Sequence, residues 1–384
     1  MKEANFFCFI LNICITALLG ALLPLLPALT RKSFLFGVKI PLEEQNCLEA
    51  KSMKKNYIMI CLTGAAAILA LVIIQYTFIP DATLISTLYF PLLFVAVQAA
   101  GFIPNWKKSV RLKEARGWKI SDSVYADTKS SHTRGNLSEL PWIWYILSLF
   151  IIITGFIIAL VEYPDLPDRI PTHFGFDMQP DAWSDKSLSA ILQIPLINSG
   201  TLLIMWLTGF MLIRAKRQID PQKPELSFAQ HSIYRRRIGN CAGVMTLGLT
   251  AGLALMGLYS IFPDLSLSFG LLIFILFAPV VPLVVVSIVS GQGGCRIKPK
   301  MIDVNHISDV YRPTSPAGAI GRGDDRYWAL GMFYHNPDDP AYLIEDRFGS
   351  NLGFNYSRLP VKIGVTAILL VLIAIYVWAT ISLW

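Results

Sequence analysis

The stretch Glu162-Tyr-Pro-Asp-Leu-Pro-Asp-Arg-Ile-Pro-Thr-His-Phe-Gly-Phe-Asp-Met-Gln-Pro-Asp-Ala-Trp-Ser-Asp-Lys186 is a dense polar block set between two long apolar runs. It carries six carboxylates (Glu162, Asp165, Asp168, Asp177, Asp181, Asp185) against Arg169 and Lys186, and one histidine, His173. Pro164, Pro167, Pro171 and Pro180 remove backbone donors and push the preceding residues out of the helical region. The segment therefore reads as a stiff, structured loop rather than a helix. Tyr163, Phe174, Phe176 and Trp183 are the aromatics available to hold it folded by burial.

Working outward, the flanking runs Pro141 to Val161 and Leu188 to Ile213 each reach the roughly 20 apolar residues that a bilayer crossing needs. The first opens with Trp142, Trp144 and Tyr145, the kind of aromatic cluster that sits at headgroup level. Six more runs meet the same requirement: Phe6 to Leu29, Tyr57 to Ile79, Ala82 to Ile103, Ile238 to Ile261, Leu267 to Val289 and Val361 to Leu383. Two pairs are joined by very short polar turns and read as membrane hairpins. The chain is 54% hydrophobic and 15% charged with mean hydropathy +0.52, against about a quarter charged in soluble domains. The expected fold is an all-α polytopic membrane protein of about eight transmembrane helices, with a small cytoplasmic α/β or β module. The expected division is a three-helix membrane region at 1–140, a helix, acidic loop and helix at 141–215, a hairpin at 216–290, the module at 291–360 and a last helix at 361–384. The six cysteines show no C-x-x-C spacing and read as small hydrophobes.

Charge sets the expected orientation. Of the 33 lysines and arginines, 29 fall in the loops after the first, third, fifth and seventh runs. The opposite side holds Lys2, Arg169 and Lys186, with Lys362 at the base of the last helix. The positive-inside rule then places the basic loops in the cytoplasm of a bacterial cell, with both termini and the acidic loop outside the plasma membrane. The net charge of +7 is accounted for in this way, so no nucleic-acid partner is expected. The middles of the eight runs hold no Asp, Glu, Lys, Arg or His, only Asn12, Gln75, Gln98, Gln193 and Asn198. Ion-coupled carriers keep charges there, whereas amides read as interhelical hydrogen bonds.

His173 among aspartates is a combination that binds divalent cations or moves protons. Its spacing matches no ordered ligand pattern such as H-E-x-x-H, and a structural or ligand-contacting histidine is the plainer reading. With a net charge of four negative, the loop would steer a cationic peptide toward itself, while a merely solvated acidic loop is the bland account. In the C-terminal polar segment, two aromatic-rich stretches separated by Asn336-Pro-Asp-Asp-Pro read as a small β module, with Asp338 and Asp339 explained by turn chemistry before cation binding. The glycines after Ser290 lack the Lys-Ser or Lys-Thr of a phosphate loop.

At the acidic loop the chain resembles the bacterial SdpI-like membrane proteins, whose namesake gives immunity to a secreted sporulation-delaying peptide toxin. Leu166, Pro167, Ile170, Pro171, His173, Phe174, Pro180, Asp181, Trp183 and Lys186 carry the resemblance, over roughly residues 141 to 215. Phe36-Gly-Val-Lys-Ile-Pro resembles a short Phe-Gly-x-Arg-x-Pro element of such proteins, with Lys39 in the arginine position. The Trp328 to Asn355 segment resembles a small appended cytoplasmic domain of unassigned function. The resemblance implies toxin immunity or signal relay. The expectation is thus a non-enzymatic membrane immunity or sensor protein without cofactor or metal. Its ligand residues would be Asp165, Asp168, His173, Phe174, Asp177, Asp181 and Trp183, with Arg235, Arg236 and Arg237 relaying to a cytosolic regulator. The alternatives are a membrane enzyme using His173 and the loop aspartates on an envelope substrate, and a membrane scaffold.

Overall fold

The computed structural model describes residues 2–118, 140–174, 179–215, 223–263, 265, 268–299, 322–347 and 352–383. The all-α membrane architecture expected from the sequence is what it shows: the described residues are 74% helical, with small strand pairs near the C-terminus. Among the described residues, eight helices are long and apolar enough to cross a membrane. The elements are α1 (Lys2–Leu22), the one-turn α2 (Leu26–Leu29), α3 (Leu48–Phe78), α4 (Thr83–Ala115), α5 (Trp142–Glu162), α6 (Leu188–Arg214), α7 (Pro224–Ile261), α8 (Phe269–Phe277), α9 (Val280–Ser290) and α10 (Leu359–Leu383). Four two-stranded antiparallel sheets accompany the helices: β1 (Phe34–Leu35) with β2 (Val38–Lys39), β3 (Arg169–Phe174) with β4 (Pro180–Asp185), β5 (Trp328–Ala329) with β6 (Phe333–Tyr334), and β7 (Leu343–Ile344) with β8 (Gly353–Phe354). The chain divides into two compact units, one of Met1–Thr128, Ala215–Phe228 and Gly291–Trp384, the other of Lys129–Arg214 and Ala229–Ser290.

In the first unit, α1, α3 and α4 pack into a bundle whose interior holds Ile68, Val72, Phe90 and Phe94. A polar thread runs through it. The Asn12 Nδ2 donates to Ser86 Oγ at 3.4 Å, Ser86 Oγ donates to Gln75 Oε1 at 2.9 Å, and Gln75 Nε2 donates to the Ile79 carbonyl at 2.7 Å. The amides thus bond between helices, as such groups must where no water can satisfy them.

Beyond the helix ends of this unit, loop 30–47 and residues 322–347 and 352–358 build one module together. The hairpins β1–β2 and β5–β6 both turn through an apolar residue followed by glycine, and all four turn residues have positive φ: Phe36 +47°, Gly37 +78°, Leu330 +52° and Gly331 +70°. Such φ values are what tight hairpin turns demand. Holding Phe36 there costs about 1–2 kcal/mol. Its ring is buried against Tyr57 and Phe102, at centroid distances of 5.6 and 5.8 Å, and that burial offsets the strain. The two turns lie back to back, so a Cβ on Gly37 would fall 2.2 Å from the Gly331 carbonyl oxygen.

Arg347, with a fully buried side chain, fills the space between these hairpins. Its guanidinium lies 4.5 Å from the Trp328 ring centroid and 5.1 Å from that of Phe34. It donates to the Gly37 carbonyl at 3.0 Å, to the Gly323 carbonyl at 2.7 Å and to the Asp325 carboxylate. Lys113 reaches the same carboxylate at 2.6 Å, tying the module to the end of α4. Asp339 is explained by turn and core chemistry. Arg322 grips it with bonds of 2.6 and 3.0 Å, and Tyr334 and the Ala341 amide donate to it at 3.0 Å each. Burial alone would raise the Asp339 carboxyl, but Arg322 and the other donors hold it below its ordinary value. Burial likewise pushes the Tyr334 phenol up to about 12.

In the second unit, α5 and α6 flank the acidic segment and α7 packs along them. Asn198 Nδ2 donates to the Thr250 carbonyl at 3.0 Å and Trp144 Nε1 to Asn240 Oδ1 at 3.0 Å. Gly248 admits Pro279 and Gly252 admits Leu276 where a Cβ would stand 2.6 and 2.7 Å from the neighbour, so α7 lies very close to the span broken at Ala278 and Pro279.

Candidate functional site

Pro164, Pro167 and Pro171 end α5 and keep the next residues out of helical geometry. The chain makes one 3₁₀ turn at Tyr163–Asp165 and then enters the β3–β4 hairpin. Register runs Arg169 opposite Asp185, Ile170 opposite Ser184, Pro171 opposite Trp183, His173 opposite Ala182 and Phe174 opposite Pro180, with irregularities on either side of His173. The acidic segment is thus a structured element standing on α5 and α6.

Three contacts hold it there. Ile170 is buried with Ala159 of α5, Ile191 of α6 and Ile261 of α7, beside partly buried Tyr163 and Leu166. Phe174 meets the Tyr259 ring at 4.8 Å. Lys186 acts as a clamp: its ammonium donates to the carbonyls of Pro164 at 2.9 Å and Leu166 at 2.6 Å, and sits 5.3 Å from the Tyr163 ring centroid. Its amide donates to the Asp168 carbonyl at 2.8 Å, closing the base of the hairpin.

Strand alternation decides which side chains face outward. Ile170 and Ser184 share the face turned to the helices, so the neighbouring Trp183 turns away and is 48% exposed. Trp183 is therefore not among the aromatics that bury to hold the segment, contrary to the expectation from the sequence. Asp165, Asp168 and Asp185 are exposed, and among the described residues none of the three carboxylates has an ion-pair or hydrogen-bond partner. His173 and Asp181 have their backbones on β3 and β4. Asp177 and Phe176 lie outside the described residues. No group of His, Cys, Asp and Glu fit for a metal ion occurs among the described residues.

The arginines expected to act in relay differ from one another. Arg235 is buried, and its Nη1 donates to the Ile213 carbonyl at 2.7 Å in the last turn of α6, where a cation also complements the helix dipole. Arg236 and Arg237 are exposed. Lys216 and Arg217 lie outside the described residues. Neither Tyr259 as the partner of Phe174 nor the Lys186 clamp is evident from sequence reasoning. For Lys186 the signal was the nearby pair of carbonyls at Pro164 and Leu166, which lack helical partners because prolines interrupt the backbone there.

Residues 150–198, covering most of α5, the hairpin and the start of α6, match the family model described as domain of unknown function (DUF1648). No curated protein and no solved structure matches the chain. With eight apolar helices and the match centred on the hairpin, this is a membrane-spanning protein with a DUF1648 domain.

Proposed function

We propose that the protein is an immunity or sensor protein of the SdpI-like kind, and that its hairpin captures a cationic peptide at the outer face of a bacterial plasma membrane. The observation that supports this reading is that Asp165, Asp168 and Asp185 are exposed and without partners among the described residues, and the Trp183 indole is exposed too, at or on a hairpin immobilised by Ile170 and Lys186. Carboxylates steer a cationic ligand and the indole face takes its lysine or arginine side chains. Because the hairpin is already fixed, little ordering is left to oppose binding. The Arg235 bond to α6 links the far end of the helix that carries the hairpin to α7, which is the path a relay to a cytosolic regulator would use.

The test is titration of a fluorescent lysine-rich amphipathic peptide onto the full-length protein in nanodiscs. Exposed ion pairs contribute about 0.2–1 kcal/mol each, so the Asp165→Asn/Asp168→Asn pair should weaken binding by roughly two- to thirtyfold, and the loss should vanish in high salt. Trp183→Ala should weaken it in high salt as well. Binding that is unchanged in both variants would rule out the hairpin as the recognition element.

A further inference from the structure

We infer that the first unit carries a binding site for the headgroup of an anionic phospholipid, in the groove between the first turns of α3 and the last turns of α4. This groove has a volume of about 790 Å³, and its polar lining is Glu49, Ser52 and Asn56 from α3 with Lys108 and Arg111 from α4; the Ser52/Asn56 and Lys108/Arg111 spacings put each of these pairs on one helix face. Among the described residues, none of the four side chains in these pairs has a hydrogen-bond or ion-pair partner. The lining acid is already engaged, because Arg116 holds Glu49 at 2.8 Å and Glu44 at 2.5 Å. Arg116 thereby neutralises Glu49 at the end of the groove, and exposed Lys51, Lys55 and Lys107, whose side chains also lack partners among the described residues, add to a net positive field around it.

Depth agrees with a headgroup. The apolar part of α3 begins at Tyr57, and that of α4 ends before Asn105. At 1.5 Å per residue, Asn56, Ser52, Lys108 and Arg111 stand within about 10 Å of the hydrocarbon edge, the zone of phosphates and glycerol esters, and long basic side chains reach back toward it. On the membrane side of the same α3 turns, Met59 and Leu62 are exposed and apolar, a surface suited to the acyl chains of a lipid whose phosphate sits above them. Lys108 and Arg111 take the phosphate oxygens, and Ser52 and Asn56 take the glycerol or ester oxygens.

The experiment uses the full-length protein in nanodiscs of mixed phosphatidylglycerol and phosphatidylcholine, with bound lipid counted by native mass spectrometry. Retained phosphatidylglycerol should exceed its share of the bilayer several-fold. Lys108→Gln/Arg111→Gln should remove that enrichment, on the order of fivefold per charge. Lys32→Gln/Lys223→Gln, which removes two exposed charges elsewhere, should leave it intact, and the charge-conserving Lys108→Arg/Arg111→Lys should restore most of it at matched thermal stability. Asn56→Leu, which keeps every charge, should lower it without abolishing it. Equal loss in both double glutamine variants would show a bulk charge effect and overturn the site. Displacement of the lipid by micromolar glycerol phosphate would assign the groove to a free phosphate ester and overturn the lipid assignment.

Discussion

Arg347 shows how much one residue decides. It satisfies carbonyls from two separate segments, neutralises Asp325 together with Lys113, and stacks on Trp328 and Phe34. Arg347→Met would leave the Gly37 and Gly323 carbonyls buried without donors and is expected to destabilise the module by about 3–5 kcal/mol. Arg347→Lys should be nearly as damaging, because one ammonium cannot serve carbonyls on both sides and lie flat on an indole. Limited proteolysis of the full-length protein, monitoring cleavage within 322–347, reads both effects. A lysine variant as resistant as the native chain would show that charge alone suffices there. None of this was legible in the sequence, where Arg347 is one of many arginines and its hydrogen-bond partners Asp325 and Gly37 lie 22 and 310 residues away. The trace that did exist is the repeated apolar-Gly turn at Phe36-Gly37 and Leu330-Gly331, which marks two hairpins without saying that they meet.

At the scale of the element, the β3–β4 hairpin was legible in outline. Four prolines excluded a helix, and the flanking apolar runs fixed where it begins and ends. Its inside and outside were not, because alternation needs a register, and two irregularities around His173 break any register counted from the sequence. Hence Trp183 read as an anchor and stands exposed, while Ile170 carries that role. Lys186 separates position from folding. Lys186→Met keeps the stem over Tyr163 but removes donors from the Pro164 and Leu166 carbonyls, which are accessible enough to take water instead. The expected outcome is a correctly inserted protein whose peptide affinity falls about three- to tenfold as the base of the hairpin loosens, a cost of about 1 kcal/mol. Faster hydrogen exchange confined to 166–186 would accompany it. Unchanged exchange would mean that Ile170 and Phe174 fix the hairpin without the clamp.

For the whole molecule, the count of spans comes from hydropathy because a bilayer demands a fixed length of apolar helix, and the expected eight are present among the described residues. The side on which each end lies rests on the 29 basic residues in alternate loops. Asp185→Cys, exposed on the hairpin, should react with an impermeant maleimide in intact cells, whereas Asp338→Cys, exposed in the module, should react only after lysis. Labelling of Asp338→Cys from outside would invert the orientation. The first unit draws its residues from three stretches, and the second lies between them in the chain. That interleaving sets a timetable for synthesis. The turn at Gly37 leaves the ribosome 310 residues before the arginine that fills it. Throughout that interval the Phe34 ring and the Gly37 carbonyl wait without their lasting neighbour, while the intervening helices emerge and are inserted. A nascent chain released after Ser290 would hold every helix of the second unit and a first unit whose clasp has no key, a natural substrate for the quality-control proteases that survey half-made membrane proteins.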